Sequence, residues 1–366
     1  MYPLKVVSLY DGISCGRVAL DRAGFAVSHF AAFEIDKYPR SISRYQYPDI
    51  THHGDVLEAD FNQFKGYDLV MGGSPCTFWS IARANREVDK DGMGWRLFMC
   101  FVDAVRQVQP RYFLYENVAS MPKAIRKYIT DELGCEPILI NSALVSAQQR
   151  KRLYWTNIPH ITQPTDRGIL LKDILESGLA YQEKSHCVTA TYPGAEFRSS
   201  LIRKKRTMIA EPIALAEKSQ TITASIYKEN AQSMLTRGKA GLLVCSPIRV
   251  GHFATGGQGN RVYSVHGKTV SLMAHGGGRG AKTGLYKVDL PDGDHAIRKL
   301  TPIEAERCQT LPDNYTALGV DDSGKEVNIS NTQRYKAVGN GWTVDVIAHI
   351  LKNMEVNADA LRACAA

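Results

Sequence analysis

The chain has 366 residues, 44% hydrophobic and 22% charged, enough for a sizeable core and two domains, and no run of about 18 apolar residues that would cross a membrane. Its net charge is +8, unevenly spread: Lys184–Lys287 carries 16 Lys and Arg against 4 Asp and Glu, a net of +12, which leaves −4 for the rest. Such segregation points to a polyanion, most commonly nucleic acid, and no membrane partner is expected.

The N-terminus, MYPLKVVSLYDG, begins a strand at once and shows no signal-peptide pattern, so a cytoplasmic location is expected. LKVVSLY, AVSHFAAFE, YDLVMGG and YFLYEN read as strands buried on both faces. GRVALDRAG and GWRLFMCFVDAVRQV read as amphipathic helices, the second ending before Gln109-Pro110. The alternation predicts an α/β fold with a doubly wound, mostly parallel sheet.

Near residue 180 the long helical patterns stop and the turn clusters GGQGN, HGGGRGAKTG and PDGD appear. KSHCVTA (Lys184–Ala190), KSQTITA (Lys218–Ala224) and KTVSLMA (Lys268–Ala274) share a template at spacings of 34 and 50, too irregular for a solenoid. Similar hairpins in a small β-rich domain are expected. NTQRYKAVGNGWTVDVIAHILKNM then reads as a turn and an amphipathic helix that rejoins the first domain. The expected division is 1–182 with 328–366, and a basic insertion over 183–327. Eight cysteines form no C-x-x-C pair, so free thiols in a reducing compartment are expected, and no metal.

Chemistry-bearing residues fall at the ends of these strands. Gly12 and Gly16 sit in a turn before a helix, where the backbone can approach a ligand closely. Glu34 ends the second strand and Asp55 follows the third apolar segment; turn, acid and acid in this order suit a nucleoside-type cofactor. In GGSPC, Pro75 fixes the backbone before Cys76 at the sheet's C-terminal edge, where a thiolate would be nucleophilic. Glu116, in YENV, ends the next strand on the same edge, where an acid after four apolar or aromatic residues is either desolvated or facing a cleft. Arg150 and Arg152, two apart, share one face if extended. Singly, each also reads as a buried cysteine, a capping acid or surface arginines.

Together, GGSPC, YENV, Gln148-x-Arg150-x-Arg152 and VGNGWTV resemble the DNA (cytosine-5) methyltransferase family over residues 4–180 and 298–350, and the long basic insertion resembles its prokaryotic and phage members. LTPIEAERCQTLPDNYT is similar to the family's ninth motif. The resemblance implies a Rossmann-like fold dependent on S-adenosylmethionine and an inserted target-recognition domain. It implies a cofactor pocket of Tyr10, Gly12, Ile13, Glu34, Ile35, Asp55, Val56, Pro75, Asn340 and Trp342. Glu34 would take the ribose, Ile35 the adenine face and Asp55 the adenine amine.

Cys76 would be the nucleophile, Glu116 would hold N3 and the amino group of cytosine, Arg152 would hold O2, and Arg150 would support the catalytic loop. Ser80, Asn117, Gln148, Arg261, Lys268, Arg279 and Lys282 would contact the nucleic acid. The partner implied is double-stranded DNA, met by a monomer, with a cognate restriction endonuclease as a further candidate. Three family positions differ: Tyr10-Asp11-Gly12-Ile13-Ser14 replaces Phe-x-Gly-x-Gly, Thr77 replaces Gln or Asn, and Gly341-Trp342 follows Asn340.

The chemistry explains the residue types. Cytosine C5 is a poor nucleophile until a thiolate adds at C6, and a group at N3 stabilises the charge that develops on the ring. The base must leave the duplex stack, and the basic insertion can offset that cost through phosphate contacts. SPCTFWSIARANREVDKDGMGW is expected to close over the flipped base as a lid. An RNA cytosine-5 methyltransferase and a catalytically silent DNA-binding relative are the alternatives. A nucleotide-dependent oxidoreductase is disfavoured by the missing dinucleotide motif.

Overall fold

The computed structural model describes residues 2–80, 85–180, 182–192, 206–212, 249–252, 261–264, 285–287 and 295–354. The backbone divides into two compact units, Met1–Leu170 with Cys187–Pro193 and Pro302–Ala366, and Leu171–His186 with Gly194–Thr301. The sequence division gave 302–327 to the insertion; the backbone groups it with the first unit. There Glu306 fixes Thr316 and Arg334: it accepts from Thr316 N at 2.9 Å and Arg334 Nη2 at 2.8 Å.

The first unit is built on seven strands: β1 (Leu4–Leu9), β2 (Val27–Phe33), β3 (Thr51–His52), β4 (Leu69–Gly72), β5 (Tyr112–Val118), β6 (Ile138–Asn141) and β7 (Lys151–Thr156). Their order is β3-β2-β1-β4-β5-β7-β6, with β7 antiparallel to both neighbours and the other pairings parallel. The four strands expected from apolar runs are all present and central. β4 is buried throughout and β1 at every position but one, as helix-covered parallel strands require.

Helix α1 (Cys15–Ala23) follows β1, and α3 (Met93–Val108) lays Trp95, Phe98, Phe101, Val102, Ala104 and Val108 into the core. α3 ends as expected, with Gln109 in a left-handed conformation ahead of Pro110. Two further helices carry weak sequence signals. α2 (Lys37–Gln46) contains Pro39, which its first turn tolerates, and is capped by Asp36, which accepts from Tyr38 N at 3.1 Å. α4 (Lys123–Leu133) buries only Ile125 and Ile129. The C-terminal segment holds a helix at Asn331–Asn340 before the expected turn and a second at Val344–Leu351.

The second unit pairs β8 (Met208–Pro212) antiparallel with β12 (His295–Lys299). A three-stranded sheet runs β11 (Leu285–Lys287), β10 (Arg261–Ser264), β9 (Arg249–His252). Lys184–Ala190, expected as part of a hairpin, lies in no named strand, and its last four residues belong with the first unit. Its backbone is tied by side chains instead, Thr207 Oγ1 accepting from His186 N at 2.8 Å. The templates at Lys218–Ala224 and Lys268–Ala274 lie outside the described residues, as do GGQGN and HGGGRGAKTG.

Candidate active site

β1 and β4 lie side by side while the chain leaves them in opposite directions across the sheet, so a crevice opens at their C-terminal ends. A cavity of about 240 Å³ occupies it, lined from β1 (Tyr10, Asp11), β2 (Glu34, Ile35), β3 (Asp55, Val56), β4 (Pro75, Cys76), β5 (Glu116), Arg150, Arg152 and the turn at Asn340–Trp342. Fourteen residues were expected to form the catalytic and cofactor sites, and the wall contains all of them except Gly12 and Ile13.

The turn after β1 is tightly wound. Tyr10, Gly12 and Ser14 have φ near +60°, left-handed backbone that glycine adopts freely and the other two adopt under constraint. Tyr10 is held by its hydroxyl, which donates to Leu97 O at 2.6 Å. Gly12 contributes its N–H to Glu34 Oε2 at 3.0 Å rather than to the cavity. Ile13 is 1% exposed and points into the core, and its carbonyl accepts from Tyr315 Oη at 2.9 Å. The cavity floor is formed by Asp11, which the sequence reading passed over. Ser8 and Ser14 both donate to its carboxylate. Burial pushes Asp11 up to about 6 against those two hydrogen bonds. The signal was present: Ser8, Asp11 and Ser14 stand three apart.

Glu34 accepts from Gly12 N and, at 2.8 Å, from Asp36 N, so the first strand turn and the second are joined through one carboxylate. Burial raises its pKa, and the two backbone donors oppose the shift. Asp55 accepts from Leu57 N at 2.9 Å and caps a short 3₁₀ turn. Beside these acids Ile35 stands 70% exposed at the cavity wall.

GGSPC has a steric logic. A Cβ on Gly72 would lie 2.7 Å from Leu9 O, and one on Gly73 would lie 2.9 Å from Glu116 Oε2. The strand therefore ends on glycines because neighbouring strands crowd it. Pro75 precedes a 3₁₀ turn, Cys76–Phe78, and Trp79 is fully buried, so the corner is anchored to the core directly after the cysteine. Farther along, Glu87 N donates to Phe78 O at 2.9 Å and Gly94 N donates to Glu87 Oε2 at 2.9 Å, while 81–84 lie outside the described residues. Cys76 is half-buried at the cavity wall. Burial pushes its thiol pKa up, Arg152 and Arg150 pull it down, and Glu116 adds to the rise.

The β5–β7 register places Glu116 opposite Tyr154 and Val118 opposite Arg152. Glu116 and Arg152 are thus diagonal neighbours on one face, and Arg152 Nε donates to Glu116 Oε1 at 2.9 Å. Arg150 is 4% exposed and ties two segments together: Nη1 donates to Val188 O at 3.1 Å and Nη2 to Gly341 O at 2.9 Å. Cys187, unassigned from sequence, sits 3.2 Å from Arg150 Nη1 and 3.9 Å from Arg152 Nη2. Burial would raise its thiol pKa, but the two arginines outweigh it and hold the thiol below its ordinary value.

The expected substrate contacts divide. Asn117, 1% exposed, is a corner brace: its amide donates to Ser74 O at 3.2 Å and its Oδ1 accepts from Val118 N at 2.8 Å. Gln148 is fully buried, donating to Gln309 Oε1 at 2.7 Å and accepting from Val188 N at 3.2 Å. Both lie behind the cavity wall and have no surface to offer a nucleic acid. Ser80 is partly exposed, its N–H donating to Cys76 O at 2.9 Å. Arg261 opens β10, where only its backbone is described; Lys268, Arg279 and Lys282 lie outside the described residues. Among the described residues no cluster of three or more His, Cys, Asp or Glu could hold a metal, and no helix is long and apolar enough to cross a membrane.

The profile of the family described as C-5 cytosine-specific DNA methylase matches residues 4–356. The chain is 27% identical over 323 residues to the orphan methyltransferase M.Rho11sI of Bacillus phage rho11s, covering 80% of this chain and 62% of that protein. It is 24% identical over 351 residues to the type II methyltransferase M.HhaI of Haemophilus parahaemolyticus, covering 96% and 94%. Among solved structures, the Entamoeba histolytica methyltransferase EhMeth shares the fold at a TM-score of 0.58 and 12% identity, with 96% of this chain and 98% of that one covered. A family match over nearly the whole length, on a Rossmann-like sheet with a cysteine at its crevice, means that the chain belongs to the C-5 cytosine-specific DNA methylase family and is a DNA (cytosine-5) methyltransferase.

Proposed function

We propose that this chain methylates C5 of a cytosine rotated out of duplex DNA, through a transient bond from Cys76 Sγ to C6, using S-adenosylmethionine. The observation that carries the reading is the convergence of Cys76, Glu116 and Arg152 on one cavity wall, with Glu116 and Arg152 paired at 2.9 Å. The cavity's other end suits a nucleoside cofactor. Glu34 and Asp55 provide acceptors for hydroxyl and amino groups, and the exposed Ile35 provides an apolar face. When bound, the cofactor supplies an electrophilic methyl group.

The Cys76 thiolate adds to C6, and the displaced electron pair makes C5 nucleophilic. Glu116 holds N3 and the exocyclic amine, where charge develops. Arg152 fixes that carboxylate and reaches O2, while Arg150 holds the segment around Cys187 against the Gly339–Gly341 turn. After C5 gains the methyl group, its proton passes to a base and the thiolate leaves. The second unit, with its basic composition, serves as the target-recognition domain on duplex DNA. The protein acts as a monomer in the cytoplasm.

Purified chain with radiolabelled cofactor tests this, with duplex DNA and tRNA as rival acceptors and Cys76→Ala as control. The expected result is label on duplex DNA only, cofactor binding retained in Cys76→Ala, and 5-methylcytosine in one sequence context by bisulfite sequencing. Turnover by Cys76→Ala, or transfer to tRNA alone, overturns the proposal.

A further inference from the structure

The family resemblance implies a place for Trp342 in the cofactor wall, and the ring lines the cavity. The structure gives its indole a second contact: Nε1 donates to Glu116 Oε2 at 3.1 Å. Since Arg152 Nε holds Oε1, both oxygens of the acid are engaged. The last torsion of a glutamate is broad, so a carboxylate held at one oxygen still swings. One held at both is fixed, and its remaining lone pairs stay open to a substrate.

The surroundings preserve this contact. A Cβ on Gly73 would lie 3.3 Å from Trp342 Nε1 and 2.9 Å from Glu116 Oε2, and a Cβ on Gly16 would lie 3.4 Å from Trp342 Cζ3. Glycine at position 73 leaves room for the pair, whereas the tight neighbour at Gly16 is Met71, 2.5 Å from a Cβ built there. The backbone on either side of the indole is tied down as well. Gly341 O accepts from Arg150 Nη2 at 2.9 Å and Gln309 Nε2 at 3.0 Å, and Thr343 Oγ1 donates to Gln309 Oε1 at 2.8 Å. The indole is therefore presented to Glu116 by a fixed turn.

We propose that Trp342 is a positioning residue for Glu116, setting the carboxylate orientation that grips the flipped cytosine independently of the cofactor. This rests on the role proposed above for Glu116. It also links the two halves of the cavity, because a residue of the expected cofactor wall would hold the acid that grips the base.

The test is run without cofactor. Thiolate addition at C6 loosens the C5 hydrogen, so duplex DNA tritiated at cytosine C5 releases label into water whenever Cys76 and Glu116 act together. Trp342→Phe keeps the ring and removes the donor. It is expected to slow this release by about 10-fold or more, a cofactor-free readout that a change in cofactor affinity cannot move. Trp342→Leu, which also removes the donor and leaves Glu116's own strand untouched, carries the same expectation and serves if Trp342→Phe does not fold. Release at the wild-type rate, or a loss confined to cofactor affinity, overturns the positioning role alone. No release from the wild-type protein overturns the Cys76–Glu116 chemistry and this inference with it.

Discussion

Glu116 and Arg152 meet diagonally across β5 and β7, Arg152 Nε donating to Glu116 Oε1 at 2.9 Å, with both side chains little more than a tenth exposed. β7 is the antiparallel strand of the sheet, and this direction brings the arginine to the edge where the parallel strands place the cysteine and the acid.

Breaking this pair should impair chemistry far more than cofactor binding. Glu116→Gln and Arg152→Ala are each expected to lower kcat by about 100-fold or more, with cofactor affinity nearly unchanged. Arg152→Lys should not rescue, because a lysine has no planar fork to serve the acid and a carbonyl together. Single-turnover methyl transfer alongside calorimetric cofactor binding checks both. A loss of cofactor affinity that accounts for the whole effect would contradict the assignment.

The two thiols of the site should have pKa values displaced in opposite directions from the ordinary thiol. Burial pushes Cys76 above the ordinary thiol range, so its reactive thiolate fraction at neutral pH is small and grows as pH rises. Cys187, with Arg150 and Arg152 overcoming its burial, should be thiolate at lower pH. Alkylation followed site by site by mass spectrometry is expected to give the earlier midpoint for Cys187. The reverse order would mean that the arginines pair elsewhere in solution.

Gln148 should prove structural. Its amide joins the segments at Val188 and Gln309 in a fully buried setting, so Gln148→Ala leaves several groups unpaired. A loss of about 2–4 kcal/mol in urea unfolding is expected. DNA affinity per folded molecule should be unchanged, and a selective loss of DNA binding in a fully stable variant would return Gln148 to the substrate surface.

Asp11 makes stability depend on pH. Its folded pKa, about 6, lies above the ordinary 3.8, so the folded state favours the protonated acid. The contribution is fully present below the unfolded value and is lost as pH rises through about 6. Wild type should therefore lose up to about 3 kcal/mol relative to Asp11→Asn between pH 4 and pH 7. Parallel denaturation curves at the two pH values measure it, and a difference that stays flat would mean that the fold does not raise the Asp11 pKa.

The central strands, α1 and α3, the crevice cysteine and its partner acid could be read from the sequence because each is a local pattern. An apolar run of strand length, a glycine pair and a proline-fixed corner carry their meaning within about ten residues. The α2 helix was hidden because its few buried residues, Pro39, Ser41, Ile42 and Ser43, form no apolar stripe.

Hydrogen-bond partners distant in the chain could not be read in this way. Gln148 and Asn117 carry family motifs, yet their amides are spent on backbone and side chains that only folding brings near. Gly12 and Ile13 turn away from the cavity because left-handed backbone at Tyr10 and Ser14 rotates the turn and leaves Asp11 on its floor. Trp342 reaches Glu116 across 226 residues. The sequence by itself determined which segments are buried and which reactive groups end them, because burial follows local composition. Only the tertiary structure decided what each group touches, because a hydrogen bond depends on where two distant stretches of backbone meet.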